Sequence, residues 1–344
     1  MPPEWAPHTA TYLVWPHNRD TWPGKFDAIP PIFAQIAAAI AHFEPVRILI
    51  KPDADFDAIR ELIRCVPPPF DQALSSDRVE LIPLATNDSW VRDHGPIFVN
   101  RIDGDGSALQ IALDWRFNSW GEKYGAFDLD DVVPRRLAER YGFEVIEPGI
   151  VLEGGSIEVN GAGTLLTTES CLLNPNRNPA LSRIEIEDYL RAYLGVTQVL
   201  WLGDGIAGDD TDGHIDDLAR FTGPDTIVTV VEDDPADANY KVLRENFARL
   251  REMRDLAGRP FQIETLPMPP ALYYDGTRLP ASYANFYIVN GGVIMPSFEC
   301  AADAVAAATL ARLFPGRAVV AIPSTDLVWG LGAIHCLTQQ HPAI

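Results

Sequence analysis

The chain is poor in basic residues. Its 344 residues include 27 Lys and Arg against 48 Asp and Glu, which gives a formal net charge of −21 at pH 7. No run of basic residues offers a phosphate-binding face, so we expect no nucleic-acid partner. Most of the acidic charge is interpreted as solvated surface. The same charge would attract a small cationic substrate.

Cysteine is also scarce, and no two cysteines are closely spaced. The four are Cys65, Cys171, Cys300 and Cys336. This pattern argues against a disulfide scaffold and against a zinc knuckle. The first residues lack the basic and apolar regions of a secretory signal. We therefore predict reduced thiols and a cytoplasmic location.

Long apolar runs are missing as well. No apolar run approaches the roughly 20 residues of a membrane span, and the Ala-rich stretch 301–313 is broken by Asp303 and Arg312. We therefore predict no membrane-spanning segment and no membrane partner. A hydrophobic content of 47% still suffices for a substantial core. With no shift in composition along the chain, we expect a single catalytic domain over residues 1–344.

One local plan recurs five times: a strand that starts with polar residues, a second apolar strand, a helix and a third strand. The predicted helices lie at 29–43, 130–140, 182–194, 240–250 and 301–313, with an additional helix at 53–65. The predicted second and third strands pair as 10–15 with 46–50, 108–115 with 143–146, 164–168 with 198–202, 226–231 with 261–266, and 293–295 with 318–322. The predicted first strands are 93–99, 155–159, 213–221 and 284–289, with a turn at 103–106 inside the second unit. A last strand at 333–338 is left over, and its expected partner is the incomplete first unit.

Four polar residues mark the starts of first strands. Asp93 and Glu153 are 60 residues apart, Glu153 and His214 are 61 apart, and His214 and Cys336 are 122 apart. If the units surround an axis, this near-constant interval brings the four side chains together. A cysteine is most often a small buried hydrophobe, and the shared interval is what favours a functional interpretation of Cys336.

A thiol, an imidazole and carboxylates in one pocket indicate covalent catalysis on a cationic electrophile. A thiolate needs a nearby positive charge, which a guanidinium substrate would supply. Asp93 and Asp216 would bind its nitrogens and orient its central carbon toward Cys336. His214 would protonate the departing ammonia and then activate water. Glu153 would orient His214 or add a third anionic contact.

Each of these residues also has a structural interpretation. Asp93 can pair with Arg92, and Glu153 can sit in a turn before two glycines. The H-x-D pattern of His214 and Asp216 would also suit two metal ligands, which keeps a metallohydrolase open. Another alternative is a binding protein for guanidines or polyamines with a dead site. Trp90 and Trp115 lie near these motifs, and both are interpreted first as core residues. Trp90 is also a candidate for substrate binding.

Several motifs, taken in order, resemble those of the agmatine deiminases of the guanidine-modifying pentein superfamily, which are related to bacterial peptidylarginine deiminases. They span nearly the whole chain. They are Glu4-Trp-Ala-Pro-His8, Trp15-Pro-His-Asn18, Thr21-Trp-Pro-Gly24, Asp88-Ser-Trp-Val-Arg-Asp-His-Gly-Pro96, Phe117-Asn-Ser-Trp-Gly121, Leu152-Glu-Gly-Gly-Ser156, Asn174-Pro-Asn-Arg-Asn178, Thr211-Asp-Gly-His-Ile-Asp216, Ser282-Tyr-Ala-Asn-Phe-Tyr287 and Ile334-His-Cys-Leu-Thr-Gln-Gln340.

The resemblance implies an α/β fold, a five-bladed α/β propeller of ββαβ units around a central active site. It also implies a metal-free, cofactor-free hydrolysis of agmatine to N-carbamoylputrescine and ammonia, a step of putrescine biosynthesis. By the same resemblance Cys336 is the nucleophile, His214 the acid and base, and Glu153 the partner of His214. Asp93 and Asp216 hold the guanidinium. The residues specify no oligomeric state, and a homodimer stands as the assembly to test.

Two departures and the choice of substrate remain open. The family commonly has three glycines and an Asn where this chain has 330–333, Gly-Leu-Gly-Ala, and a His where this chain has Glu158. An arginine or peptidyl-arginine substrate is the alternative to agmatine. Agmatine ends in an ammonium, for which Asp210 and Asp212 are candidate partners, although both can equally cap a turn.

Overall fold

A computed structural model gives the three-dimensional structure and describes residues 1–67, 70, 78–102 and 104–344. Asp103, the first residue of the predicted turn at 103–106, lies outside the described residues. The helices and strands follow in this order: β1 (His8–Val14), α1 (Ile29–Phe43), β2 (Val46–Ile50), α2 (Phe56–Arg64), β3 (Val79–Pro83), α3 (Val91–His94), β4 (Ile97–Ile102), β5 (Ala108–Leu113), α4 (Ser119–Glu122), α5 (Val133–Tyr141), β6 (Glu144–Ile146), β7 (Glu158–Val159), β8 (Thr164–Thr168), α6 (Glu169–Leu172), α7 (Arg183–Leu194), β9 (Gln198–Leu202), β10 (Ala219–Gly223), β11 (Thr226–Val231), α8 (Tyr240–Glu252), β12 (Gln262–Pro267), β13 (Tyr273–Tyr274), β14 (Thr277–Arg278), β15 (Tyr287–Val289), β16 (Gly292–Ser297), α9 (Ala301–Leu313), β17 (Ala318–Pro323) and β18 (Gln339–Pro342).

Five sheets share one topology, in which an antiparallel pair is followed by a third strand parallel to the second. They are β4-β5-β6, β7-β8-β9, β10-β11-β12, β15-β16-β17 and β18-β1-β2, the last extended by β3. In each sheet a helix lies between the second and third strands, because parallel neighbours require a crossover connection. The recurring plan predicted from the sequence is therefore confirmed. The strand β3 and the hairpin of β13 and β14 are additions that it did not predict.

The closing segment pairs with the first unit, as predicted. Strand β18 runs antiparallel to β1, with Thr11 opposite Gln340 and Tyr12 opposite Gln339. The predicted strand at 333–338 is wrong in position, because Ile334 to Leu337 form a turn and the strand begins at Gln339. The pairing therefore joins the two ends of the described chain and fixes the turn that contains Cys336.

The helix boundaries follow local signals. Ser182 and Glu185 form a capping box at the start of α7, and Gly195 ends that helix in the left-handed conformation. Gly142 ends α5 in the same way. The Asp55 side chain accepts two backbone N–H bonds and so caps α2. The helix therefore begins later than the predicted residue 53.

One helical segment is longer and more apolar than predicted from the sequence. Residues Phe26–Phe43 are long and apolar enough, by length and composition, to cross a membrane. About half of the segment (56%) is buried inside the protein, and α1 packs in the core formed with β1 and β2. A core helix of this kind passes the same test, so the segment is weak evidence for a membrane span.

Candidate active site

The four polar residues with a common interval occupy equivalent places in their units. Asp93 lies in α3, Glu153 directly precedes a 3-10 turn over Gly154–Ser156, and His214 directly precedes a 3-10 turn over Ile215–Asp217. Cys336 lies in the turn before β18. The prediction that these residues belong to the first strands is wrong, since each strand starts a few residues later. Side chains in the turns bind nearby backbone instead of a neighbouring strand, as Ser156 Oγ does by donating to the Glu153 carbonyl.

The Cys336 thiol is buried among carboxylates and one amide. Asn285 Nδ2 donates to Sγ at 3.1 Å, and Asp216 Oδ2 lies 3.8 Å from Sγ. Burial, together with the charges of Asp216, Asp217 and Asp93, raises the pKa of Cys336 well above its ordinary value. The surroundings of the thiol therefore favour its protonated form.

Asp93 and Asp216 are both held by neighbours. Asp93 Oδ1 accepts from the Gly155 N–H at 2.9 Å, and Asp93 Oδ2 accepts from Trp120 Nε1 at 2.9 Å. Burial raises the pKa of Asp93 to about 6. Asp216 behaves differently: burial would raise its pKa, but the hydrogen bond from His335 and the charge of that ring hold it below the ordinary value.

His214 lies beside Asp93, with Nδ1 3.7 Å from Asp93 Oδ1. Burial alone would lower the pKa of His214, but Asp93 and the Cys171 sulfur raise it well above the ordinary value. Neither ring nitrogen has a hydrogen-bond partner in the described structure. The buried imidazole thus lies beside a carboxylate and a thiol, both of which favour its protonated form.

Glu153 approaches His214 without a hydrogen bond to it. Glu153 Oε1 accepts from Arg177 Nε at 2.5 Å, and Oε2 has no partner in the described structure. One atom each from Glu153, Cys171 and His214 lie within 4.8 Å of one another. The structure therefore brings Glu153 to the imidazole while Arg177 fixes the carboxylate.

A glycine shows how tightly these groups converge. A Cβ added at Gly155 would lie 2.5 Å from His214 Nδ1, 2.8 Å from Asp93 Oδ1 and 3.1 Å from Asp216 Oδ2. No real Cβ tolerates such distances, so only glycine fits here. The interval between the polar residues therefore correctly predicted their convergence on one site.

The two residues of the H-x-D pattern do not share a candidate set of metal ligands. Within the described ranges, His214 groups with Glu153 and Cys171, whereas Asp216 groups with Asp217 and Cys336. The arrangement therefore does not support the metallohydrolase interpretation, in which His214 and Asp216 would bind one ion.

A cavity of about 600 Å³ leads from the surface to Cys336 and Asp93. Six aspartates line it, and no Lys, Arg or His does so in the described part of the chain: Asp20, Asp88, Asp93, Asp130, Asp210 and Asp275. Trp90 also lines the cavity and packs on Trp22, with ring centroids 5.6 Å apart. Trp90 and Trp115 both lie in the hydrophobic core, as expected, and Trp90 is exposed to the cavity as well.

The two candidate acidic partners for an ammonium have different surroundings. Asp210 lines the cavity, and its carboxylate accepts a hydrogen bond from Tyr124. Asp212 does not line it but pairs with Lys123 at 2.7 Å and with Arg177 at 2.6 Å. Only Asp210 is therefore placed to meet a ligand in the cavity.

Comparisons with known proteins agree with this geometry. The model of the Porphyromonas-type peptidyl-arginine deiminase family matches residues 1–342. The chain belongs to this family. It is 39% identical to the agmatine deiminase of Ectopseudomonas mendocina, covering 100% of this chain and 95% of that protein. It is 39% identical to a putative agmatine deiminase of Legionella pneumophila, covering 99% of this chain and 94% of the relative.

Solved structures of the family superpose along the whole chain. The agmatine deiminase of Enterococcus faecalis matches with a TM-score of 0.89 at 34% identity, covering 99% of this chain and 95% of that one. A putative arginine deiminase from Porphyromonas gingivalis matches with a TM-score of 0.88 at 42% identity, covering 99% and 97%. The predicted family, the α/β fold and the prediction of a hydrolase are confirmed.

Both departures from the family pattern lie close to the site. Glu158 Oε2 accepts from Arg220 Nε at 2.8 Å, so a carboxylate rather than an imidazole meets this buried arginine. Leu331 lines the cavity with φ 69°, a left-handed conformation that glycine adopts without strain. This chain therefore has a strained, non-glycine backbone position in the cavity wall.

Three further residues contact the candidate site and were not singled out from the sequence. Trp120 lies in a turn where Ser119 to Glu122 all have positive φ, and its ring N–H reaches Asp93. Asn285 contacts Cys336 and lies after the turn at 283–284, two residues before β15. It does not share the common interval, so that signal does not identify it. His335 was inconspicuous because it simply precedes the cysteine.

Proposed function

We propose that this protein hydrolyses agmatine to N-carbamoylputrescine and ammonia. The observation that carries the choice of substrate is the cavity above Cys336, which is lined by aspartates and, over the described residues, by no cationic side chain. Asp130 adds little negative charge at neutral pH, because burial raises its pKa to about 8. A doubly cationic guanidine suits the other aspartates of this wall. A substrate carboxylate would be repelled there without a compensating cation.

In the proposed binding step, Asp93 and Asp216 accept hydrogen bonds from the guanidinium nitrogens and orient its carbon toward Cys336 Sγ. The cation offsets the surrounding negative charge that raises the pKa of the thiol. Substrate binding itself thus favours the thiolate, and the empty enzyme keeps a protonated and less reactive cysteine.

In the proposed chemical steps, Sγ forms a bond to the guanidinium carbon. The C–N bond then breaks as His214 gives its proton to the leaving nitrogen, which departs as ammonia. A covalent amidino-thioether on Cys336 remains. His214 next takes a proton from water, and the hydroxide adds to the same carbon. The C–S bond then breaks as the added hydroxyl gives its proton to the departing sulfur, which releases the ureido product and restores the thiol. Glu153, fixed by Arg177, supports the charge of His214.

We also propose that Asp210 binds the terminal ammonium and that Trp90 packs along the methylene chain. Both residues line the cavity. A hydrogen bond from Tyr124 orients the Asp210 carboxylate. Asp210→Asn should then raise KM for agmatine more than it lowers kcat, because the ammonium is equally bound in substrate and transition state.

Deimination of arginine or peptidyl-arginine is the second candidate function. It is favoured by the matched family model, which describes a peptidyl-arginine deiminase, and by the similarity to the putative arginine deiminase. The acidic wall argues for agmatine over free arginine.

A competition assay tests both candidates. The purified protein is given agmatine, arginine and an arginyl peptide together, and ammonia and each ureido product are measured. We expect agmatine to be consumed first. Faster turnover of arginine or the peptide would overturn the proposed substrate, and no turnover of any of the three would favour the binding protein with a dead site.

The remaining proposals concern architecture and setting. We propose that the five sheets are the blades of a five-bladed α/β propeller, one domain over residues 1–344, because all five repeat one topology and β18 joins β1. We further propose that the enzyme works in the cytoplasm in putrescine formation, with a small cationic guanidine as its partner and without nucleic acid or membrane. A homodimer is the assembly to test by light scattering.

A further inference from the structure

His335, the residue before the proposed nucleophile, lies between two carboxylates. Its Nδ1 is 2.7 Å from Asp216 Oδ2, and its Nε2 is 2.8 Å from Glu4 Oε2. The side chain is 1% exposed. A ring that meets carboxylate oxygens at both nitrogens donates to both only when each nitrogen carries a proton. Both ring nitrogens therefore lie within hydrogen-bonding distance of a buried carboxylate oxygen.

Glu4 is itself fixed from several sides, although it lies 331 residues from His335 in the sequence. Glu4 Oε1 accepts from the Ile288 N–H at 2.9 Å and lies 2.9 Å from Arg220 Nη2. Glu4 Oε2 also accepts from Arg92 Nη2 at 3.4 Å. A carboxylate held by this many donors has one orientation, and the two arginines offset the cost of burying its charge.

The effect of this chain of contacts reaches Asp216. Its Oδ2 is occupied by His335, whereas its Oδ1 is buried and has no hydrogen-bond partner in the described structure. A buried carboxylate oxygen without a partner is costly unless a ligand satisfies it. Asp216 thus keeps one buried oxygen without a protein partner, while its other oxygen is held by His335 and lies 3.8 Å from Cys336 Sγ.

We propose that Glu4 and His335 are positioning residues that hold Asp216 for guanidinium binding. This inference rests on the proposed role of Asp216. It gives a function to Glu4, which begins the motif Glu4-Trp-Ala-Pro-His8 and has no role in the proposed chemistry. It also joins the beginning of the chain to the site through His335, whose neighbour is the nucleophile.

The test compares Glu4→Gln with Glu158→Gln. Both changes replace a buried carboxylate beside Arg220 by an isosteric amide, but among the described contacts only Glu4 meets His335. Agmatine binding is measured by calorimetry with each substitution placed in the inactive Cys336→Ser protein. We expect Glu4→Gln to weaken binding at least about tenfold and Glu158→Gln to change it less than about threefold. Glu4→Asp, which keeps the charge, should recover part of the loss.

Two readouts separate positioning from general damage. In the protein that retains Cys336, Glu4→Gln should raise KM with a smaller change in kcat. Alkylation of Cys336 by the neutral reagent iodoacetamide, followed by mass spectrometry of its peptide, should stay within about threefold of wild type because that reagent does not need Asp216. Equal loss of binding in Glu158→Gln, or unchanged binding in Glu4→Gln, would overturn the proposal.

A spectroscopic arm tests the contacts without agmatine. In protein with ¹⁵N-labelled histidine, His335 should show two exchange-protected ring N–H signals, assigned by their loss in His335→Gln, and Glu4→Gln should remove one. A single N–H signal in the wild type would overturn the proposal. If both signals are present but Asp216→Asn binds agmatine normally, Asp216 does not bind the guanidinium. The proposed effect of Glu4 on agmatine binding is then refuted as well, because it acts through Asp216.

Discussion

Replacing Asn285 by alanine should slow the enzyme by weakening the thiolate. Asn285 Nδ2 donates to Cys336 Sγ at 3.1 Å and to Asp217 Oδ1 at 3.0 Å, and Asn285 Oδ1 accepts the His335 N–H at 2.9 Å. A hydrogen bond to a charged group contributes about 1.5–3 kcal/mol. Since sulfur is a weak acceptor, we take the lower end. At about 1.4 kcal/mol per factor of ten, kcat/KM should fall roughly tenfold or more.

The assay is the pH dependence of Cys336 alkylation by iodoacetamide, read by mass spectrometry. A loss of about 1.4 kcal/mol corresponds to roughly one unit in the pKa of the thiol, so the alkylation profile of Asn285→Ala should move up by about that amount. The variant should also lose about 1–3 kcal/mol of unfolding free energy, because the buried Cys336 N–H, which donates to Asn285 Oδ1 at 3.4 Å, loses its acceptor.

Asn246→Ala is the matched control. Asn246 is also buried, and its amide also both accepts and donates, although to backbone on both sides: it accepts from the Gly203 N–H and donates to the Asp204 carbonyl. It does not line the cavity. The control should lose comparable stability and keep its kcat/KM. An unchanged alkylation profile in Asn285→Ala would refute the reasoning, as would an equal loss of activity in both variants.

Four further outcomes are expected. Cys336→Ser should abolish turnover and still bind agmatine in calorimetry, and residual turnover would contradict the proposed nucleophile. Trp120→Phe removes the donor to Asp93, whose pKa is about 6, so the acid limb of kcat/KM should move to higher pH; an unmoved limb would show that Asp93 does not control it. Burial raises the pKa of Asp130 to about 8, so the folded protein keeps a proton that the unfolded chain releases near pH 4. The stability gained from that proton is lost as pH rises from about 4 to 8. Asp130→Asn should therefore flatten this part of the pH profile of unfolding free energy measured in urea. Deletion of 331–344 removes Cys336 and β18, and should eliminate activity and lower the melting temperature; a deletion protein as stable as the full chain would count against the role of β18 in joining the first unit.

The sequence predicted the repeating architecture because its signals are local. Capping at Ser182, the glycine stops at 142 and 195, and apolar periodicity each depend on residues within a few positions. The strands 46–50, 164–168, 198–202 and 226–231 accordingly match the structure. The common interval also predicted that Asp93, His214 and Cys336 converge, since equivalent positions of repeated units face a common site.

Local patterns did not reveal the turns that hold the site or the partners that fix its charges. The residues before each first strand were predicted as strand because they continue into apolar runs, and only packing against neighbouring units makes them turns. Pairs such as Glu4 with His335 and Asn285 with Cys336 are far apart along the chain. The sequence alone therefore identified the residue types suitable for catalysis. Which oxygen of Asp216 remains free, and which donor reaches the thiol, was decided by the tertiary structure, because a buried charge takes its orientation from all the groups packed around it.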